Sequence, residues 1–179
     1  EHQVPYIQTL LDSSGLNTAD ITGPVYVDED TRKEMPAYES GTVDSAFEIV
    51  RGDDVIIRYY DLEGRPMTYY KKDRRGNPSG KKREFYRVRY QNPELHPDKN
   101  GNPVKYRSPY GSDTKIYINK WIREKYKKSS KIKTLYIQEG EKKADKATKH
   151  GLISVGVMGI HNIAYNKRLP VEFEAIIKR

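Results

Sequence analysis

The sequence predicts an α+β protein, in which a mainly antiparallel β subdomain is followed by a partial α/β (βαβα) unit. In the first part, short runs with period-two alternation, such as residues 84–90, are separated by Gly, Pro, Asn and Asp, which is typical of antiparallel strands and turns. After residue 132, two compact apolar runs flank a helical pattern, which is typical of parallel strands joined by a helix.

The 179 residues divide into three predicted segments. Residues 1–46 form an acidic N-terminal helix and an extended segment. Residues 47–130 form a basic β-rich subdomain, and residues 131–179 form the α/β unit. No internal repeat is apparent.

The first two segments contain the following predicted elements, in chain order: a helix over 4–11 that ends near Gly15, strands over 25–27, 47–50 and 55–60, a turn over 61–66, a strand over 67–72, a mobile loop over 71–83, a strand over 84–90, a loop over 91–104, a strand over 115–118 and a basic helix from Asn119 to about residue 128. The two strands around the turn at 61–66 are expected to pair as a hairpin. Asn119 is expected to cap the helix that follows it.

The third segment contains two predicted strands that are buried in a parallel sheet, over 134–137 and 152–158. A helix over 140–150 connects them and ends at Gly151. A last helix is expected over 171–178, since Pro170 suits a helix start.

Charge is distributed unevenly along the chain. Residues 1–50 carry 2 Lys and Arg against 10 Asp and Glu, whereas residues 65–133 carry 21 against 6, within a net charge of +8. A basic stretch of this size indicates a polyanionic partner, although a solubilising surface is the alternative. The absence of cysteine excludes disulfides and fits a cytoplasmic protein. No apolar run reaches the length of a membrane span, so we expect no membrane partner.

Cations in the middle segment are the candidate nucleic-acid contacts, because Lys and Arg neutralise phosphates. Arg87 and Arg89 share one face of a predicted strand, which holds them in place. The remaining candidates lie in the loop before this strand and after it: Lys71, Lys72, Arg74, Arg75, Lys82, Arg83, Lys105 and Arg107. Tyrosines interleaved with these charges would stack on bases or simply pack a half-exposed sheet.

Carboxylates follow the first predicted parallel strand, at the sheet edge where α/β proteins bind ligands. Glu139 comes directly after the strand, Gly140 permits a sharp turn, and Glu141 begins the helix. Hard carboxylate oxygens there would hold a divalent metal or serve in phosphoryl chemistry. For Glu141 the alternative is a charge that stabilises the helix dipole.

The run Leu-Tyr-Ile-Gln-Glu-Gly-Glu-Lys-Lys-Ala at 135–144, with the strand and glycine turn at 155–162, resembles the first part of the toprim domain of phage and plasmid primases of the primase-helicase type. A weaker resemblance extends to residues 59–65 and 105–112. It implies that Glu139 is a catalytic and metal-binding residue, Glu141 a second metal ligand, and Gly140 and Gly159 the glycines of the two turns.

The resemblance further implies a DNA primase-like replication protein of a mobile element such as a phage, plasmid or transposon. Its partners would be single-stranded DNA template and nucleotides, with a helicase domain in the same protein. Toprim chemistry also uses a later Asp-x-Asp pair, which the residues after Asn162 lack. We therefore expect Mg2+ or Mn2+ only in a longer protein, of which this chain is a fragment. By itself the chain should hold no metal tightly and make no primers.

Two other functions fit the same features. One is a non-catalytic nucleic-acid-binding protein of replication or mobilisation. The other is a toprim nuclease or a topoisomerase-like enzyme.

Overall fold

The structure, a computed structural model, describes residues 5–21, 37–40, 53–128, 131–159 and 169–177. These residues form helices and sheets of an α+β protein. The helices are α1 (Tyr6–Asp12), α2 (Thr18–Ile21), α3 (Lys120–Lys127), α4 (Glu141–Lys149) and α5 (Val171–Ile177). The strands are β1 (Tyr38–Ser40), β2 (Val55–Arg58), β3 (Thr68–Lys72), β4 (Pro78–Glu84), β5 (Tyr86–Arg89), β6 (Tyr106–Arg107), β7 (Tyr117–Ile118), β8 (Tyr136–Glu139) and β9 (Ser154–Val157). The predicted strands over 25–27 and 47–50 lie outside the described residues.

The strands form a four-stranded antiparallel sheet in the order β1-β2-β5-β6, a hairpin of β3 and β4, and a three-stranded sheet in the order β7-β9-β8. In the last sheet β8 and β9 run parallel and are joined by α4, as predicted. β7 pairs antiparallel with β9. The predicted boundary between residues 130 and 131 therefore falls within one sheet, with β7 before it and β8 and β9 after it.

A large apolar core joins the antiparallel sheet to the α/β unit, and a smaller cluster of Ile56, Tyr86, Val88 and Tyr90 is separate from it. The large core contains Leu11 from α1, Ile57 from β2, Ile122 from α3, Val155 from β9 and Phe173 from α5. Burial of this continuous surface is the main force that holds the α/β unit against the antiparallel sheet.

The predicted hairpin of residues 55–60 with 67–72 is confirmed only beside its turn. There Tyr60 and Pro66 form an isolated bridge, and the Met67 N–H donates to the Tyr59 carbonyl at 2.7 Å. The rest of the prediction is wrong, because β2 pairs with β1 and β5. The reason is burial: in β5, Val88 lies opposite Ile56 of β2 and both are buried. The more polar β3 pairs instead with the exposed β4.

The predicted loop over 71–83 is also wrong, because it forms the hairpin β3–β4 around a tight turn. Asp73 Oδ1 accepts hydrogen bonds from the backbone N–H groups of Arg75 and Asn77, at 2.8 and 2.9 Å. Gly76 adopts φ +82°, which only glycine tolerates readily. A charged sequence thus forms a hairpin because its turn is fixed by the Asp side chain.

The same turn occurs three times, at 61–66, 73–78 and 98–103, and we name these segments the Asp turns. Each has the sequence Asp-x-x-Gly-x-Pro. In each, the Asp carboxylate accepts from the second and fourth following N–H groups, and the glycine has φ between +82° and +86°. The chain therefore contains a short internal repeat that the sequence analysis missed.

Local predictions in the second half are confirmed in part. Asn119 caps α3, its side-chain oxygen accepting from the N–H of Ile122 at 3.3 Å. β9 is buried throughout, and α5 follows Pro170. β8, however, is not buried: Tyr136 and Ile137 are exposed because β8 lies at the edge of its sheet, with β9 its only strand partner in the part of the chain described.

Candidate nucleic-acid interface

A groove of about 1140 Å³ opens at the carboxyl end of β8, between α4 and the sheet that carries β5. Its walls carry many cations and two carboxylates. The charged residues that line it are Arg87, Arg89, Lys105, Glu139, Glu141, Lys142, Lys143 and Lys146. Gly140 and Gly159, the two predicted turn glycines, also line it.

Glu139 ends β8 with its side chain exposed to solvent, on the wall of this groove. Gly140 follows with φ +97° and ψ 162°, a backbone conformation that is essentially restricted to glycine. The Gly140 N–H donates to the Val157 carbonyl at 2.9 Å. A Cβ atom added at Gly156 would lie 2.9 Å from the Gly140 carbonyl oxygen. Two glycines therefore allow the turn after Glu139 to lie close against β9.

Glu141 is buried, with 2% of its surface exposed, and it forms an ion pair with Arg87. Its Oε1 accepts from Arg87 Nη1 at 2.7 Å and from the Tyr59 hydroxyl at 2.6 Å. Burial lowers the pKa of Arg87, but the Glu141 carboxylate offsets this and the pKa lies above its ordinary value. This carboxylate joins the start of α4 to β5 and to the chain just after β2. These contacts engage the carboxylate with Arg87 and Tyr59, which is a tertiary role that differs both from a charge on the helix dipole and from metal ligation.

Asp145, one turn further along α4, is a second buried carboxyl group. Its Oδ2 accepts from the hydroxyls of Tyr38, at 2.6 Å, and Tyr117, at 2.9 Å. Burial raises the pKa of Asp145 to about 7, and the two tyrosine hydroxyls only partly offset this. On its buried face, α4 therefore carries two acids that accept hydrogen bonds from three tyrosines and one arginine, and these bonds hold the helix in place.

Within the described residues, no carboxylate lies at ion-pair distance from the other groove cations. Arg89 Nη1 donates to the Tyr90 carbonyl at 2.9 Å, and both Arg87 and Arg89 lie over the Tyr106 ring, about 5 Å from its centroid. Lys146 Nζ donates to the Gly15 carbonyl at 3.0 Å. Neutral partners leave these charges available to a polyanion.

The remaining predicted contacts lie elsewhere. Lys71, Lys72, Arg74, Arg75, Lys82 and Arg83 belong to the β3–β4 hairpin and its turn, and none of them lines the groove. Lys72 forms an ion pair with Asp113. Arg107 does not line the groove either and lies over the Tyr90 ring, 5.8 Å from its centroid. Of the ten predicted cations, only Arg87, Arg89 and Lys105 lie at the groove.

Sequence analysis missed the cations of α4. Lys142, Lys146 and His150 recur every four residues, so they share the helix face that lines the groove. The four-residue spacing is the sequence signal for this face. Lysines also occur on other faces of the helix, which makes the spacing hard to distinguish.

A divalent metal fits this site only in part. The exposed Glu139 carboxylate suits Mg2+ or Mn2+, whereas Glu141 Oε1 is already used by Arg87 and Tyr59. Within the described residues, no group of three His, Cys, Asp or Glu side chains is placed to hold a metal ion.

No protein-family model, curated protein or solved structure matches the chain. Among the helices of the described residues, none has the length and apolar composition needed to cross a bilayer.

Proposed function

We propose that this chain is part of a DNA primase-like replication protein of a mobile element. In this proposal it binds single-stranded DNA in the groove and contributes Glu139 to metal-dependent nucleotidyl transfer. The observation that carries the proposal is the position of Glu139, an exposed carboxylate at the carboxyl end of a parallel strand, on the wall of a basic groove.

Charge supports a polyanion in the groove. Glu141 neutralises Arg87, which leaves Arg89, Lys105 and three lysines of α4 against one carboxylate, that of Glu139, among the described residues that line the groove. Each phosphate that these cations neutralise releases counterions, so the logarithm of affinity should fall with the logarithm of salt concentration by about 0.7 per contact on a single strand. Tyr106 adds an aromatic ring beside these charges, and Arg87 and Arg89 both lie over this ring.

Binding is tested by fluorescence anisotropy of a labelled oligo-dT 20-mer over a series of salt concentrations. Lys142→Glu should weaken binding and reduce the salt slope, because this side chain lines the groove. Lys99→Glu is the charge-matched control, since Lys99 is exposed in an Asp turn and does not line the groove. Equal losses from both substitutions would refute binding in the groove.

Arg87→Ala is a poor test of binding, because it also removes the buried partner of Glu141. Arg89→Ala leaves that pair intact and is the better substitution at β5. Glu139→Gln should leave DNA affinity within about twofold. It should abolish nucleotidyl transfer by a longer protein that contains the remaining metal ligands. Unchanged transfer would refute the catalytic role of Glu139.

A further inference from the structure

We propose that Trp121 stacks on a base of the single strand, in a second depression that is lined in part by the same turn as the groove. This inference rests on the proposed function, because the same strand would occupy both places. The depression has a volume of about 460 Å³. Its lining residues come from α2, from α3 and its C-cap, from the end of α4 and from the turn that follows α4: Asp20, Trp121, Glu124, Lys125, Lys128, Thr148, Lys149, Gly151 and Ile153.

Trp121 has the geometry of a stacking platform. Trp121 is the only tryptophan of the chain, and it is 42% exposed. The next residue of the same helix, Ile122, is fully buried, so the helix itself is held in the core. The Lys120 ammonium lies over the indole, 4.8 Å from the ring centroid, and Lys120 itself donates to the Ala19 carbonyl at 2.5 Å. A ring has two faces, so a cation on one face leaves the opposite face for a base.

The charges around the indole suit a phosphate backbone. Lys125 and Lys128 lie four and seven residues after Trp121, which places all three on one face of α3. Of the two acids in the depression, Asp20 is paired with Lys149, at 2.8 Å. An aromatic ring beside lysines on a rigid helix is the combination with which proteins bind single-stranded nucleic acid without sequence preference.

Both depressions are lined in part by the turn between α4 and β9. His150 and Leu152 line the groove, whereas Gly151 and Ile153 line the second depression. Residues of this turn thus line the two surfaces in alternation, and the end of α4 also contributes to both. A strand that leaves the groove across this turn would bring its next bases to Trp121.

The test uses Trp121 as its own reporter. Titration of the 179-residue protein with an oligo-dT 20-mer should quench tryptophan emission and shield the indole from acrylamide, at the concentrations at which anisotropy shows binding. Inorganic phosphate at the same phosphate concentration should leave the emission unchanged. DNA binding without a change in emission or shielding would overturn the proposal.

Substitutions separate this inference from the proposed function. Trp121→Ala should weaken oligo-dT binding about fivefold or more, while Trp121→Phe keeps a ring and should retain most of the affinity. Tyr110→Ala is the control, because Tyr110 is 84% exposed and lines neither depression. Thermal melting by circular dichroism checks that each variant is folded.

Two further outcomes have distinct meanings. If Lys142→Glu weakens binding while Trp121→Ala and Tyr110→Ala do not, the groove binds DNA and the Trp121 platform is refuted. If the unmodified protein binds no oligo-dT at low salt, the proposed function fails and the platform fails with it.

Discussion

Replacement of Glu141 by alanine is expected to destabilise the protein by about 3–5 kcal/mol, because it leaves a buried charge without its partner. The Arg87 side chain is only 12% exposed, and Tyr59 is 1% exposed, so water cannot readily replace the lost carboxylate. Tyr59→Phe removes one hydrogen bond to the same oxygen and should cost less, about 1.5–3 kcal/mol.

Urea unfolding followed by circular dichroism measures these losses. With a slope of about 2 kcal/mol per molar urea, Glu141→Ala should lower the midpoint by about 2 M. Glu139→Ala is the matched control two residues away; its carboxylate is exposed, so its effect should stay within about 0.5 kcal/mol. The double substitution Arg87→Met with Glu141→Leu should recover much of the loss, since it leaves no unpaired charge. A loss below about 1 kcal/mol for Glu141→Ala would show that the carboxylate is solvated, and would restore it as a candidate metal ligand.

Three further predictions concern the same region. The pKa of Asp145 is raised from 3.8 to about 7, so between these pH values the folded state holds a proton that the unfolded state has released. As the pH rises through this window, the stability of the protein should therefore fall by on the order of 4 kcal/mol relative to that of Asp145→Asn. Parallel pH profiles of the two proteins would contradict this. Gly156→Ala should cost about 1–3 kcal/mol and shift the amide resonance of Gly140, because the new methyl group would overlap the Gly140 carbonyl. Gly140→Ala should cost about 1–3 kcal/mol in thermal melts through backbone strain alone, since a Cβ there meets no atom within 4 Å; an unchanged melting temperature would refute that.

Elements with local signals were predictable from the sequence. The Asn119 cap, the helix after Gly140 and the buried strand β9 each depend on residues within a few positions of one another. Strand partners were not predictable in this way. β2 selects β5 over the nearer β3 because apolar side chains meet across the sheet, and this choice depends on residues about 30 positions apart.

The site shows the same division. The sequence places Glu139 and Gly140 after a strand, and the structure puts both on the wall of the groove. Alternation predicts that Arg87 and Arg89 share a face, but not that Arg87 is bound to Glu141, 54 residues later. A strand pattern distinguishes two faces of a sheet, and it does not show which face a helix will cover.

The Asp turns offer attachment points for probes. In the second and third turns the two residues between Asp and Gly, 74–75 and 99–100, are exposed, and the turn is closed by the Asp side chain and backbone rather than by these residues. Single cysteines placed there would be the only thiols in the chain. A fluorophore pair on them would report the distance between the β3–β4 hairpin and the 98–103 turn while DNA is added, from positions that do not line the groove.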